Sequence, residues 1–171
     1  EKELINYDSY INKYNNSHYG RVDNKTTLDV QDDAATANWG GAWRMPTKAE
    51  QDELRTKCKW KWTTLNRVKG YKVIGPNGNS IFLPAAGYVV GGALYNVGSF
   101  GNYWSSSLHT DYSDLAYSVY FYSDVVDKYG SNRDHGRSVR PVWGGGTDDP
   151  DNPNNPDNPD DIPTEMYMIG S

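Results

Sequence analysis

The sequence predicts an α+β domain of two helices with short, mainly antiparallel strands. Three observations lead there. Helix-type periodicity and capping signals are confined to residues 28–58, period-two apolar alternation recurs over residues 60–143, and Gly- and Asn-rich turns separate those later runs. A chain of 171 residues suits one domain plus flanking segments.

Residues 1–26 are rich in Tyr and Asn and poorly periodic, which predicts an extended segment with a short strand. Residues 28–38, LDVQDDAATAN, read as a first helix, with Asp32 and Asp33 as solvated acids of its early turn and Gly40 as its stop. The second helix opens at Thr47, where Thr47 and Glu50 have the spacing of a capping box. Ala49, Leu54 and Cys58 would supply part of its inner face, leaving Lys48, Asp52, Glu53, Arg55 and Lys57 to water. The period then changes: Trp60 and Trp62 share a strand face. Residues 71–74 and 80–83 flank Gly75-Pro76-Asn77-Gly78-Asn79, a hairpin signal. Further strands are predicted at 103–106, 116–123 and 138–143. In the middle one, Tyr117, Val119 and Phe121 would face the core, and Ser118, Tyr120 and Tyr122 the solvent.

Charge divides the chain. Residues 144–171 hold seven acids and no base, so residues 1–143 carry 17 bases against 15 acids. Pro150, Pro153, Pro156 and Pro159 recur every third residue among Asp and Asn, which favours extended polyproline-II geometry and cannot bury a core. The predicted organisation is a domain over 1–143, an acidic linker over 144–163, and over 164–171 the opening strand of a truncated second domain. No basic patch points to nucleic acid, and no apolar run approaches membrane-spanning length.

Candidate chemistry is sparse. Cys58 is the only cysteine, and at a helix end it reads as a small buried hydrophobe. His18, His109 and His135 lack metal-ligand spacing, so neither metal nor other cofactor is expected. Ser105, Ser106 and Ser107 lack a nucleophile-elbow pattern and read as hydroxyls tying down a turn. Gly91-Gly92 lacks the strand–helix setting of a phosphate loop. These features point away from an enzyme and toward a binding protein.

The strongest signal for binding is compositional. Residues 88–135 contain no Glu, Gln or Met, one Lys (Lys128) and one Trp (Trp104). At the rate set by residues 1–87, about four residues of the Glu, Gln and Met types would be expected there. Tyr, Asn, Asp, Ser and His take the polar positions, the vocabulary of adaptable contact surfaces.

Several strings then align with a known pattern: WGGAWRMPT at 39–47 followed by Glu50 and Leu54, IFLPAAGY at 81–88, GNYWSS at 101–106, and GRSVRPV at 136–142. Over about residues 20–143 the set resembles the C-type-lectin-like domains of gut Bacteroidetes surface proteins. Those are related to the formylglycine-generating-enzyme fold and to the Fibrobacter major paralogous domain. The resemblance implies a C-type-lectin-like fold in a bacterial surface or secreted lipoprotein, with adhesin-like binding of a protein or glycan. The stretch after Tyr88 also resembles the variable region of proteins diversified by retroelements that mutate template adenines. Mutating the first two bases of AAY codons yields Tyr, Asp, Ser, His, Val, Leu, Gly or Phe, among others, and never Glu, Gln, Met, Lys or Trp, so Lys128 and Trp104 would belong to the frame. By that resemblance the varied, ligand-binding positions are Tyr95, Asn96, Asn102, His109, Tyr112, Asp114, Leu115, Ser118, Tyr120, Tyr122, Asp124, Asp127, Tyr129, Ser131, Asn132, Asp134 and His135.

Two departures limit what the resemblance implies. The enzymes of that fold use paired cysteines, and calcium-dependent lectins use Glu-Pro-Asn or Gln-Pro-Asp with Trp-Asn-Asp; none of these occurs here. The rival readings are a degenerate structural domain of the formylglycine-generating type and a carbohydrate-binding module of an outer-membrane glycan-binding protein.

Overall fold

The first predicted helix breaks at Asp33 because its carboxylate serves two elements at once. Asp33 has extended dihedrals and caps α1 (Ala34–Trp39), accepting from the amides of Ala35 at 2.9 Å and Thr36 at 3.0 Å. Its second oxygen accepts from the Met45 amide at 2.8 Å, next to β1 (Trp43–Arg44). Asp33 is therefore buried rather than solvated, and only a 3-10 turn, Val30–Asp32, precedes it. This computed structural model describes residues 13–15, 22–144 and 168–169. His18 and the linker expected over 144–163 fall outside the described residues, apart from Gly144.

The second helix, α2 (Lys48–Lys57), starts as predicted. Thr47 Oγ1 accepts from the Glu50 amide at 3.2 Å, and Glu50 accepts from the Thr47 amide at 2.8 Å. Its inner face differs from the expected one. Ala49 is exposed and Gln51 is buried, while Leu54 and Cys58 pack half-buried on the core.

A meander follows: β2 (Lys59–Leu65), β3 (Val68–Ile74) and β4 (Ser80–Pro84), all antiparallel. Gly78, at φ +87°, takes the left-handed place in the Asn77-Gly78 turn. A small hairpin joins β5 (Tyr88–Val90) to β6 (Ala93–Tyr95) through Gly91 and Gly92, both at positive φ. Those glycines thus make a hairpin turn.

The remaining strands form a five-stranded sheet. They are β7 (Gly101–Leu108), β8 (Leu115–Phe121), β9 (Val126–Asn132), β10 (Arg137–Ser138) and β12 (Met168–Ile169), in the order β12-β10-β7-β8-β9. Pairing is antiparallel except β10 with β7. The strand predicted over 138–143 is two short ones, since β11 (Val142–Trp143) leaves this sheet to pair with β1. The fold is α+β, with two helices and several antiparallel sheets.

The sheet has a core face and an outer face. On the core face, Tyr103, Val119 and Phe121 meet Tyr71, Val73 and Leu83 of the meander. Phe121, fully buried, lies 5.2 Å from the Tyr71 ring, 5.9 Å from Tyr103 and 6.1 Å from Trp60. Gly101 is required opposite it, because a Cβ there would fall 2.1 Å from the Phe121 ring. On the outer face, Trp104 joins Ala35, Met45 and Val139 in a second cluster, with Leu28 and Ala116 against it.

Two predictions follow from this frame. Phe121→Ala should cost roughly 3–5 kcal/mol, as truncation of a buried aromatic does, whereas Tyr129→Ser should stay roughly within ±0.5 kcal/mol; denaturant unfolding measures both. Glu50 supplies the second. The Arg44 guanidinium, 2.6 Å away, and the Thr47 amide hold its carboxyl at about 2, below the usual 4.5. A lowered folded-state value means that the stabilisation is complete above the unfolded value and is lost as pH falls through the folded one. Glu50→Gln should therefore flatten the acid limb of the stability curve between about pH 4.5 and 2. An acid limb unchanged in that variant would refute the assignment.

A candidate binding face of aromatic residues

The outer face is closed at one end and open at the other. Along β8, Ala116 lies under the second cluster, Ser118 is sealed, Tyr120 is half-buried, and just past the strand Tyr122 is 43% exposed. The sequence expectation of an exposed Ser118 is thereby corrected. Its hydroxyl pairs with the Ser131 hydroxyl at 2.9 Å, and both are buried.

Around the open end the aromatic rings form a continuous run. Tyr95 stacks on Tyr88 at 5.6 Å, and Phe100 touches Tyr88 at 5.6 Å and Tyr122 at 4.8 Å. Tyr120 links Phe100 at 6.1 Å to Tyr129 at 6.4 Å. Tyr129 is 65% exposed, the most open of them. Such rings give large contact area for few rotatable bonds, and their hydroxyls remain free to bond at the tip.

At the edge of this run lies Arg137. Its guanidinium sits 5.1 Å from the Trp104 ring and 5.7 Å from the Tyr88 ring. Tyr88 is held there because Val89 and Gly136 exchange amide–carbonyl bonds of 2.8 and 2.9 Å. Arg137 is only 7% exposed, and no carboxylate among the described residues lies within salt-bridge distance of it. Its Nη2 donates to His135 Nδ1 at 3.2 Å, which places the imidazole proton on Nε2, toward Asp134 at 3.7 Å. Burial pulls the guanidinium down to about 10, which still leaves it charged at neutral pH. Asn102, also buried, stands beside it on β7.

The predicted positions divide. Tyr95, Asn102, Ser118, Tyr120, Tyr122, Tyr129 and Ser131 come together on the outer face, and Asp134 and His135 reach it through Arg137. Asn102, Ser118 and Ser131 form its buried floor rather than its contact surface. The others lie apart. His109 stacks on Tyr117 at 4.7 Å and touches Tyr112 at 5.4 Å, beside the Leu115–Asn132 pair. Asn96 is a turn residue at φ +58° whose carbonyl accepts from the Ser99 and Phe100 amides. The Asp114 carbonyl accepts from the Arg133 amide, Asp124 is exposed between β8 and β9, and Asp127 lies 3.9 Å from Arg55. Tyr88, Phe100 and Arg137 are the members sequence reasoning missed. Tyr88 and Arg137 lie inside motif strings read as framework, and a lone Arg between Gly136 and Ser138 carries no periodic signal.

The Ser105-Ser106-Ser107 hydroxyls lie within strand β7 and not in a turn as expected, and they bond to neighbouring elements. Ser105 donates to the Tyr117 carbonyl at 2.8 Å, and Ser107 accepts from the Lys48 amide at 3.0 Å. A cavity of about 190 Å³ lies behind Trp104, lined by Tyr14, Leu28, Met45, Ala116 and Val139 and by none of the tyrosines of the outer face. Among the described residues no group of three or more His, Cys, Asp or Glu could hold a metal ion. No described helix is long and apolar enough to cross a membrane. Comparison with protein-family models, curated proteins and solved structures gave no match.

The serine floor generates a prediction. Ser118→Ala leaves the buried Ser131 hydroxyl without this partner and should cost about 1–3 kcal/mol; Ser131→Ala should cost less, because the Ser118 hydroxyl keeps the Tyr129 carbonyl at 3.4 Å. The double replacement should cost less than the sum of the two singles in a double-mutant cycle. Additive costs would show that the two hydroxyls act separately.

Proposed function

We propose that this chain is a non-catalytic, adhesin-like binding domain of C-type-lectin-like type, acting at a bacterial cell surface through the outer-face tyrosines. The single observation that carries the reading is the run of rings from Tyr95 to Tyr129, half-open to solvent on a rigid sheet. Rigid aromatic groups on a pre-formed scaffold lose little entropy on binding, which suits contact by side chains alone. The composition of residues 88–135 supports the same face as one diversified by a retroelement: Tyr95, Tyr120, Tyr122 and Tyr129 are each a residue that adenine mutation of an AAY codon yields. Two helices with several antiparallel sheets are compatible with the lectin-like arrangement. Of the alternatives named above, a degenerate structural domain makes no use of such a face, whereas a glycan-binding module would stack sugar rings on it and is told apart by what the chain captures.

Two observations test the proposal. In the genome of origin, a near-copy of the segment over 88–135 beside a reverse-transcriptase gene should differ at adenines in the codons for Tyr120, Tyr122 and Tyr129. In solution, Tyr120→Ser with Tyr122→Ser should abolish capture of whatever protein or glycan the chain retains from a surface extract or array. The melting temperature should stay within a few degrees, as for changes of roughly 0.5 kcal/mol. Capture that survives the double substitution places the binding surface elsewhere.

A further inference from the structure

We propose that Arg137 anchors a protein partner by receiving one of its glutamate or aspartate side chains between the Tyr88 and Trp104 rings. The proposal rests on reading the outer face as a binding surface. Arg137 is 7% exposed, yet among the described residues no carboxylate pairs with it directly; Asp134 acts on it only from beyond His135. Its Nε is buried without a hydrogen-bond partner. A buried cation left in that state is costly, and an incoming carboxylate removes the cost through a charge-assisted bond.

A second unsatisfied group stands next to it. The parallel register Ser138↔Tyr103 puts Arg137 beside Asn102 one step back along both strands. Asn102 Oδ1 is also buried without a partner. Neither of these two atoms is open to solvent, so Asn102 stays in the floor and an incoming group meets the rest of the Arg137 guanidinium, at the edge of the aromatic run.

Depth decides for a protein. The guanidinium lies beneath two ring faces and opens to solvent only slightly. A carboxylate must arrive on a thin, flexible stem, as on Glu or Asp. An acidic sugar carries its carboxylate one bond from a bulky ring, which would strike Tyr88 first. The surrounding tyrosines suit the neighbouring residues of such a partner.

The test is an NMR titration of the isotope-labelled full chain at neutral pH. The probes are acetyl-Gly-Glu-Gly-amide, its Gln counterpart, and methyl glucuronoside. The Glu peptide should shift the Arg137 Nε–Hε signal and the Tyr88 ring, and bind on the order of ten-fold more tightly than the Gln peptide. Arg137→Gln should remove that preference. Because this substitution could loosen the packing on Trp104, the comparison of the two peptides on the unsubstituted chain stands as a test by itself. Equal binding of both peptides at the tyrosine rings would overturn the role of Arg137 and leave the binding face standing. A response to the glucuronoside without one to the Glu peptide would overturn the protein partner. Silence to all three probes would overturn the anchor, whereas the face itself falls only if Tyr120→Ser with Tyr122→Ser spares capture.

Discussion

Strand β7 is the element on which the rest depends, because it must be covered on both faces. From Gly101 to Ser106 every residue is buried. Tyr103 points into the core, where its hydroxyl donates to the Pro84 carbonyl at 2.7 Å and burial drives its ionisation far above the usual range. Trp104 points the opposite way, into the second cluster. After Trp104 the pairing with β8 slips, which would orphan main-chain groups. Gln51 repairs this, its Nε2 donating to the Tyr103 and Trp104 carbonyls at 3.0 Å each. That explains why α2 buries an amide where an alanine face was expected: a buried carbonyl needs a donor more than the helix needs another methyl group.

Past the slip, β7 is held by other segments. The Ser106 amide donates to the Pro46 carbonyl at 2.8 Å, and the Leu28 amide donates to the Ser106 carbonyl at 2.9 Å. Those bonds draw the segment before α1 and the start of α2 onto this end of the sheet. With Asp33 joining α1 to Met45, they close the outer face over Trp104. Among the described residues the other end has no such cover, and there the tyrosines stand. The open face is thus the remainder left by the way β7 satisfies its backbone.

What was legible in the sequence was local. The capping box of Thr47 and Glu50, the Asn77-Gly78 hairpin and the paired faces of Trp60 and Trp62 depend on residues a few positions apart, and all appear as read. Strand β9 was not legible, since as an outer strand with the sequence VDKYGSN it shows little apolar alternation. Ser118 and Ser131 were misread as surface because a serine pair satisfies itself across strands, and a single sequence does not reveal that pairing. The same holds for Asp33, whose partner Met45 is twelve residues away. For the site, alternation placed Tyr120 and Tyr122 correctly on one face. The strand edges and turns that sort Tyr129 from His109 depend on register, which the sequence left open.

The floor beneath the tyrosines then divides the labour of the face. Ser118 and Ser131 bond to one another, and the Ser118 hydroxyl also reaches the Tyr129 carbonyl at 3.4 Å, so that part of the floor is satisfied within the fold and demands nothing of a ligand. The rings of Tyr120, Tyr122 and Tyr129 meet each other and Phe100, at the rim of the face and apart from the cluster around Phe121. Arg137 and Asn102 differ, each holding a buried polar atom without a partner. Specificity gained by leaving polar groups unpaired is large, because a ligand lacking the complement leaves the cost in place. On the proposed function, a face built this way would combine exchangeable aromatic area with one fixed polar demand. Since Arg137 rests on Trp104, the fixed demand is carried by the frame, and the exchangeable area by the tyrosines around it.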